Sequence, residues 1–324
     1  MSILCSISTK GRYDTYLPLA IQAVINQTRL PDKLIIFDDN DEPMDLRDKP
    51  IYKFLFGILD QKKIPWEVLY GLKKGQHYNH QIANGMGYDW VWRVDDDNIP
   101  EETVLEKLAA YIQPDVGAIG GSVLFWDKVI DVSSATGKIE HIDNEPNLQW
   151  GRFSEFRTVD HLHCSFLYRA GIVDYNLGLS KVAHREETLF TYQMRQKGYK
   201  LYLVPNAITW HGKSATGGIR SDDKEELYLH DEFIFRNHLE LKDKTIVVLD
   251  SGMGDHIVFK HVLPHIKNPE VFSCYPDIIS GRSIGEAQYL LGNIDTYGIY
   301  RFMDKLNWKD SLENAYRKMY GVTK

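Results

Sequence analysis

Short apolar runs separated by amphipathic stretches set the pattern of the first two hundred residues. Residues 3–8, 34–37, 66–70, 90–94 and 116–121 read as strands, most of them too apolar for a sheet with one wet face. Between them, apolar positions recur at helical spacing over 15–27, 51–59 and 78–86. A further helix is expected after Pro100, with Pro100 in its first turn, Glu101 and Glu102 at its positive end, and Val104, Leu105, Leu108, Ala109 and Ile112 on its buried face. Strand, helix, strand succession predicts right-handed parallel units and an α/β fold.

The periodicity then weakens. Residues 122–157 carry Trp126, Trp150, Phe153 and Phe156 among polar positions and read as a long excursion over the sheet, with room for a hairpin, of the sort that often binds ligands. Residues 160–169 alternate as a strand, 180–187 open a helix that Gly198 ends, and 199–204 form the next strand. The glycine-bearing stretch 207–218 reads as a mobile cover. After a helix over 227–239, residues 240–244 make a charged linker, dividing the chain into domains 1–240 and 241–324. The second is a small α/β unit with a strand at 245–250, a glycine turn at Gly252 and Gly254, a helix at 256–265, a strand at 271–273, and helices at 284–291 and 308–320.

Composition narrows the class. With 324 residues, 43% hydrophobic and 26% charged, the chain can bury a substantial core. A formal charge of −7 argues against broad nonspecific contact with nucleic acid or anionic membrane. No stretch approaches membrane-span length, and the start reads as a strand rather than a signal peptide. Cys5, Cys164 and Cys274 are unpaired in spacing and read as reduced thiols, which points to the cytoplasm.

The candidate chemistry gathers where strands end. The run Tyr88 to Val94 stops in Asp95, Asp96 and Asp97, on the edge where open α/β sheets place ligands. Strand alternation would put Asp95 and Asp97 on one face with Asp96 pointing away, and two hard oxygen donors suit Mg²⁺ or Mn²⁺ beside a diphosphate. Thr9 and Arg12 follow the first strand; Asp38 and Asp39 follow the second, where a carboxylate can accept from a ribose hydroxyl or base N–H. Lys73, Lys74 and the helix start near Asn79 suit either an anion or plain solvation. Glu186 and Glu187 open a helix, compatible with a general base or with ordinary helix-start carboxylates. His211 stands alone in sequence, and Trp126 and Trp150 are candidate stacking platforms for an acceptor as well as anchors for the excursion.

Taken in order, these residues resemble the family 2-type glycosyltransferases of the GT-A nucleotide-diphospho-sugar transferase fold, over about residues 2–211. Ser8-Thr9 resembles the family's opening, Asp38-Asp39 its nucleoside-side acidic position, and Lys73 to Asn79 the segment beneath the diphosphate. Asp95-Asp96-Asp97 resembles its DxD metal motif, Glu186-Glu187 its Glu-Asp pair, and His211 the histidine completing the metal site. The resemblance implies a mixed, mainly parallel sheet and inverting transfer from a nucleoside diphosphate sugar, with UDP the expected nucleotide, to a glycan hydroxyl. It further implies Mn²⁺ or Mg²⁺ on Asp97, Asp95 and His211, and Glu187 as base beside Glu186. Thr9, Arg12, Asp38, Asp39, Lys73, Asn79, Asp95 and Asp96 would then line the donor, and Trp126 and Trp150 the acceptor.

Two departures stand out: Glu187 replaces the usual aspartate, and Gln193 stands where an arginine is common, with Arg195 two residues on. Residues 251–255 also resemble the glycine loop of heptosyltransferase-like GT-B enzymes, in a unit short enough to read as an accessory or homo-oligomerisation element. The rival readings are a nucleotidyltransferase, which would release pyrophosphate, and a non-catalytic nucleotide- or glycan-binding protein. The acceptor class stays open, modified nucleic acid included.

Overall fold

The computed structural model describes residues 1–213, 217–218, 225–241, 244–249, 252–266 and 268–286. The predicted helix at 308–320 lies outside them, as do residues 250–251 and the end of the helix predicted at 284–291. Contacts divide the chain into one unit of Met1–Tyr175 with Ser180–Tyr228, and a second of Asn176–Leu179 with Leu229–Lys324.

The first unit begins with β1 (Ile3–Thr9), α1 (Leu17–Ile25), β2 (Lys33–Asp38), α2 (Pro50–Gln61), β3 (Trp66–Tyr70), α3 (Gln76–Asn84) and β4 (Trp90–Asp95). Then come β5 (Asn98–Pro100), α4 (Val104–Ala109), β6 (Val116–Phe125), β7 (Arg157–Val159), β8 (Phe166–Arg169), α5 (Glu186–Gln196) and β9 (Lys200–His211). One sheet runs β3-β2-β1-β4-β8-β6-β9-β5, with β7 also on β9. Strands β1, β2, β3, β4, β6 and β9 share a direction, while β5, β7 and β8 oppose it. This is the mixed, mainly parallel sheet that the resemblance to the GT-A fold implies.

Helix α2 shows why the sequence folds so: Pro50 opens it, and Tyr52, Leu55, Phe56 and Leu59 recur at three and four residues on the buried side. They join Ile3, Cys5, Ile7, Ile21, Val24, Trp90 and Trp92 in one core. Burying a single such side chain is worth about 1.5–3 kcal/mol.

Several sequence expectations change. Pro100 is not in a helical turn: it closes the short β5, which pairs with Thr209 of β9, and α4 starts at Val104. A strand-edge position suits a residue with no N–H to donate. The stretch 207–211 is not a cover but the second half of β9; a register shift at Gly121/Ser122 lets it resume pairing with β6 at Ile208. Within 160–169, only Phe166–Arg169 is strand. Leu162 N–H donates to Thr191 Oγ1 at 2.9 Å and His163 N–H to Gln149 Oε1 at 2.8 Å, so side chains replace a ladder there. The excursion holds one isolated bridge, Asp131 to Arg152, and a 3-10 turn at Ile139–His141 instead of a hairpin.

Helix α6 (Glu225–Leu241) leads to β10 (Thr245–Leu249), α7 (Met253–Val262), β11 (Pro269–Ser273) and β12 (Arg282–Ser283). The three strands pair in parallel, with Val247, Leu249, Phe259, Val262 and Val271 in a small core. Helix α7 starts at Met253, three residues before the predicted His256.

Candidate active site

Strand β4 ends at Asp95, level with Ser8 of β1, and the chain turns through Asp96 and Asp97 before β5. Alternation therefore stops at Asp95, and the expectation that Asp95 and Asp97 share a face fails. Asp96 and Asp97 instead gather on Arg12. Its Nη1 donates to Asp96 Oδ1, and its Nη2 lies 3.0 Å from Asp97 Oδ2. Thr9 Oγ1 donates to Asp96 Oδ2 at 2.8 Å, with the Lys10 N–H at 3.4 Å. Burial pushes the Asp96 carboxyl up to about 7; Arg12 pulls against that shift and the charge of Asp97 adds to it. Burial also disfavours the charge on Arg12, but Asp96 and Asp97 outweigh it and hold the guanidinium ionised.

Pairing of Asn98 with His211 across β5 and β9 brings the C-terminal end of β9 to this turn. The Gly212 N–H donates to the Asp97 carbonyl at 2.7 Å, and His211 Nε2 lies 3.7 Å from Asp97 Oδ2. A carboxylate oxygen and an imidazole nitrogen converging on one point suit Mn²⁺, and Mg²⁺ with more water. Among the described residues no group of three or more His, Cys, Asp or Glu is ready to hold a metal. Behind His211 stand the rings of Phe125 at 5.3 Å and Trp150 at 6.0 Å, whereas Trp126 is 70% exposed.

The residue that sequence reasoning passed over is Arg93. It is completely buried in β4, and its Nη2 lies 2.6 Å from Glu186 Oε1, 3.1 Å from Glu187 Oε1 and 3.4 Å from Asp95 Oδ1. An arginine in the middle of the apolar run WVWRV was the available signal, since a buried charge must be paired. Gln76 Nε2 adds a hydrogen bond of 2.8 Å to Glu186. Burial raises the Glu186 carboxyl to about 7 against the pull of Arg93. Arg185 takes a left-handed conformation, φ 64°, immediately before α5 and turns the chain into the helix. Glu187 keeps slight side-chain exposure, 8%, where Glu186 has none.

On the other side of β1, the second acidic pair divides. Asp38 is fully buried and accepts from the Tyr13 hydroxyl, the Asn40 N–H at 3.1 Å and Asn40 Nδ2 at 2.7 Å. Asp39 accepts the Lys73 N–H at 2.9 Å, while the Lys73 ammonium reaches the Asp41 carbonyl at 2.5 Å. Asn79 Nδ2 donates to Ser8 Oγ at 2.8 Å, and its buried Oδ1 has no partner among the described residues. A Cβ at Gly71 would collide with Asp39 Oδ1 and stand 3.0 Å from Asn79 Oδ1. The structure thus brings Thr9, Arg12, Asp96, Asp97 and His211 into one cluster and Asp95, Glu186 and Glu187 into another around Arg93. Asp39, Lys73 and Asn79 meet near Gly71.

Residues 67–223 match the family model Glycosyltransferase like family 2. None of the curated proteins matches the sequence. The fold is similar to Staphylococcus aureus TarS 1–349, solved in complex with UDP-GlcNAc: 12% identity, TM-score 0.52, covering 97% of this chain and 79% of that one. It is similar also to GalNAc-T7, solved with UDP, GalNAc and Mn²⁺: 11% identity, TM-score 0.55, covering 99% of this chain and 58% of that one. At these identities the likeness establishes the fold.

Proposed function

We propose that this family 2-type glycosyltransferase of GT-A fold moves a sugar from a UDP-linked donor to a glycan hydroxyl, with inversion, using Mn²⁺ or Mg²⁺. The observation that carries the reading is the meeting, on the single guanidinium of Arg93, of Asp95 from the end of β4 with Glu186 and Glu187 from the start of α5. Carboxylates far apart in sequence thereby stand together at the sheet edge where donor and acceptor must meet. UDP is the nucleotide in both similar structures, and Mn²⁺ accompanies it in one.

Glu187 acts as the base. Its carboxylate takes the acceptor's hydroxyl proton while the acceptor oxygen forms its bond to the anomeric carbon. The bond from that carbon to the diphosphate oxygen breaks on the opposite face, its electron pair leaves with the nucleoside diphosphate, and configuration inverts. Arg93 orients Glu187, with its Nη2 3.1 Å from Oε1. Arg12 holds the acidic turn in shape through Asp96 and Asp97, and Asp39, hydrogen-bonded in the Gly71 turn, receives the nucleoside. Asp97 and His211 would hold the cation, which when bound stabilises negative charge on the departing diphosphate, while Asp95 stays with Arg93. Trp150 walls the acceptor side.

The test is Glu187→Gln: UDP binding should persist while sugar transfer collapses, and an unchanged transfer rate would reject Glu187 as base. Release of UDP rather than pyrophosphate separates sugar transfer from nucleotidyl transfer.

A further inference from the structure

The second unit carries a thiol and an imidazole side by side at the C-terminal edge of its sheet, the edge that open parallel sheets use for ligands. β10 ends at Leu249 and β11 at Ser273. Cys274 follows directly, its N–H donating to the Leu249 carbonyl at 3.1 Å. The Tyr275 N–H donates to Ser273 Oγ at 2.8 Å, a local bond that turns the chain straight after the strand. Cys274 and Tyr275 are both exposed there. His256, the fourth residue of α7, is fully buried beside them.

Both nitrogens of His256 are engaged. Nδ1 lies 3.1 Å from the carbonyl oxygen of Gly252, one helical turn earlier. A carbonyl only accepts, so Nδ1 carries the proton and the neutral ring keeps its acceptor lone pair on Nε2. That nitrogen lies 3.7 Å from Cys274 Sγ. The Tyr275 ring stands edge-on to the imidazole, 5.1 Å between centroids and 88° between planes, and braces it. A nucleophile, a base within hydrogen-bonding reach of it and a third group that fixes the base's tautomer form the general pattern of an activated side chain. The other two thiols are shut away from reagents: Cys5 and Cys164 have 0% and 2% exposure, and burial holds both in the uncharged form.

We propose that Cys274 and His256 form a thiol-exchange site, at which the chain takes up half of a low-molecular-weight disulfide as a mixed disulfide. His256 Nε2 takes the Cys274 proton as Sγ attacks one sulfur of the disulfide. A new S–S bond forms, the old one breaks, and the departing sulfur leaves with its electron pair and receives the proton from His256. One disulfide is consumed and one thiol released, with no further oxidant. Every residue involved belongs to the second unit, so the inference stands apart from the glycosyl-transfer reading.

The test incubates the full-length, reduced protein with glutathione disulfide near neutral pH and follows uptake by intact mass and peptide mapping. One glutathione per chain, on Cys274, is expected, and none on the Cys274→Ser variant. Exchange should run about tenfold faster than in a peptide of residues 270–278, where the same thiol has no imidazole beside it, because an unassisted thiol is only a few per cent ionised at neutral pH. His256→Gln should lose that advantage while circular dichroism shows the chain still folded; if that variant unfolds, the comparison of wild type with the peptide decides alone. A wild-type rate no higher than the peptide's, uptake on Cys5 or Cys164 in place of Cys274, or an undiminished rate in folded His256→Gln would overturn the site.

Discussion

Replacing Arg93 with Met deletes the only cation in contact with Glu186 and Glu187 among the described ion pairs, while keeping most of the side chain's volume. The Glu186 side chain has no exposure and that of Glu187 only 8%, so neither carboxylate can turn to water for compensation. Removing one partner of a buried pair costs about 3–5 kcal/mol. At about 2–4 °C per kcal/mol for a domain of this size, the melting temperature should fall by at least ~6 °C. The pH dependence gives a sharper signature. Burial raises the Glu186 carboxyl of the folded protein to about 7, above the ordinary glutamate value of about 4.5. Its contribution to stability is therefore fully present below about pH 4.5 and is lost as pH rises through 7.

Without Arg93 the folded pKa rises further, and the loss continues to higher pH with a slope of up to ~1.4 kcal/mol per pH unit for one proton. Thermal unfolding of wild type and R93M between pH 5 and 8.5 measures both effects. The double variant Arg93→Met/Glu186→Gln should recover much of the loss, because it leaves one fewer uncompensated carboxylate. An R93M midpoint within 2 °C of wild type across the range, with an unaltered pH slope, would refute the claim that this guanidinium holds the two glutamates.

Other substitutions probe separate parts of the site. Asp97→Ala should abolish metal-stimulated donor turnover while the fold, judged by circular dichroism, survives; wild-type turnover would remove Asp97 from the cation site. Glu187→Gln should lower kcat by about 10²–10⁴-fold, the usual worth of a general base, with UDP affinity measured by calorimetry unchanged. Gly71→Ala should cost about 1–3 kcal/mol and weaken UDP binding, because the added methyl displaces Asp39; equal affinity would detach Asp39 from the nucleoside. Chelation by EDTA should suppress transfer, with Mn²⁺ restoring it at least as well as Mg²⁺, given an imidazole beside the Asp97 carboxylate.

The parts legible in the sequence were those written in local periodicity. The apolar run LIIF has only one way to bury itself, and β2 lies where it lies; WEVLY, rich in β-branched and aromatic residues, likewise becomes β3, only half-buried. The apolar faces of α1 and α2 follow the same rule, with ends differing by a few residues because frayed turns carry no hydrophobic signal. Less regular segments misled. The alternation across 160–165 is real, yet Thr191 and Gln149 satisfy that backbone in place of a strand. The stretch 207–218 suggested a mobile cover, but β5 and β6 pair with residues up to His211 and make 207–211 sheet.

The sequence by itself determined which residues end each strand, and so which carboxylates reach the ligand edge: Asp38, Asp95 and the two that follow it, with Glu186 and Glu187 opening α5. Only the tertiary structure decided their partners. Strand geometry ends at Asp95, so the direction of Asp96 and Asp97 is set by a turn and by Arg12, not by a period of two. The union of Asp95 with Glu186 and Glu187 depends on β4 bringing a buried arginine beneath α5. Side-chain periodicity is a property of neighbours in the chain. The pairing of buried charges is a property of neighbours in space, imposed by the need to compensate a charge that water cannot reach.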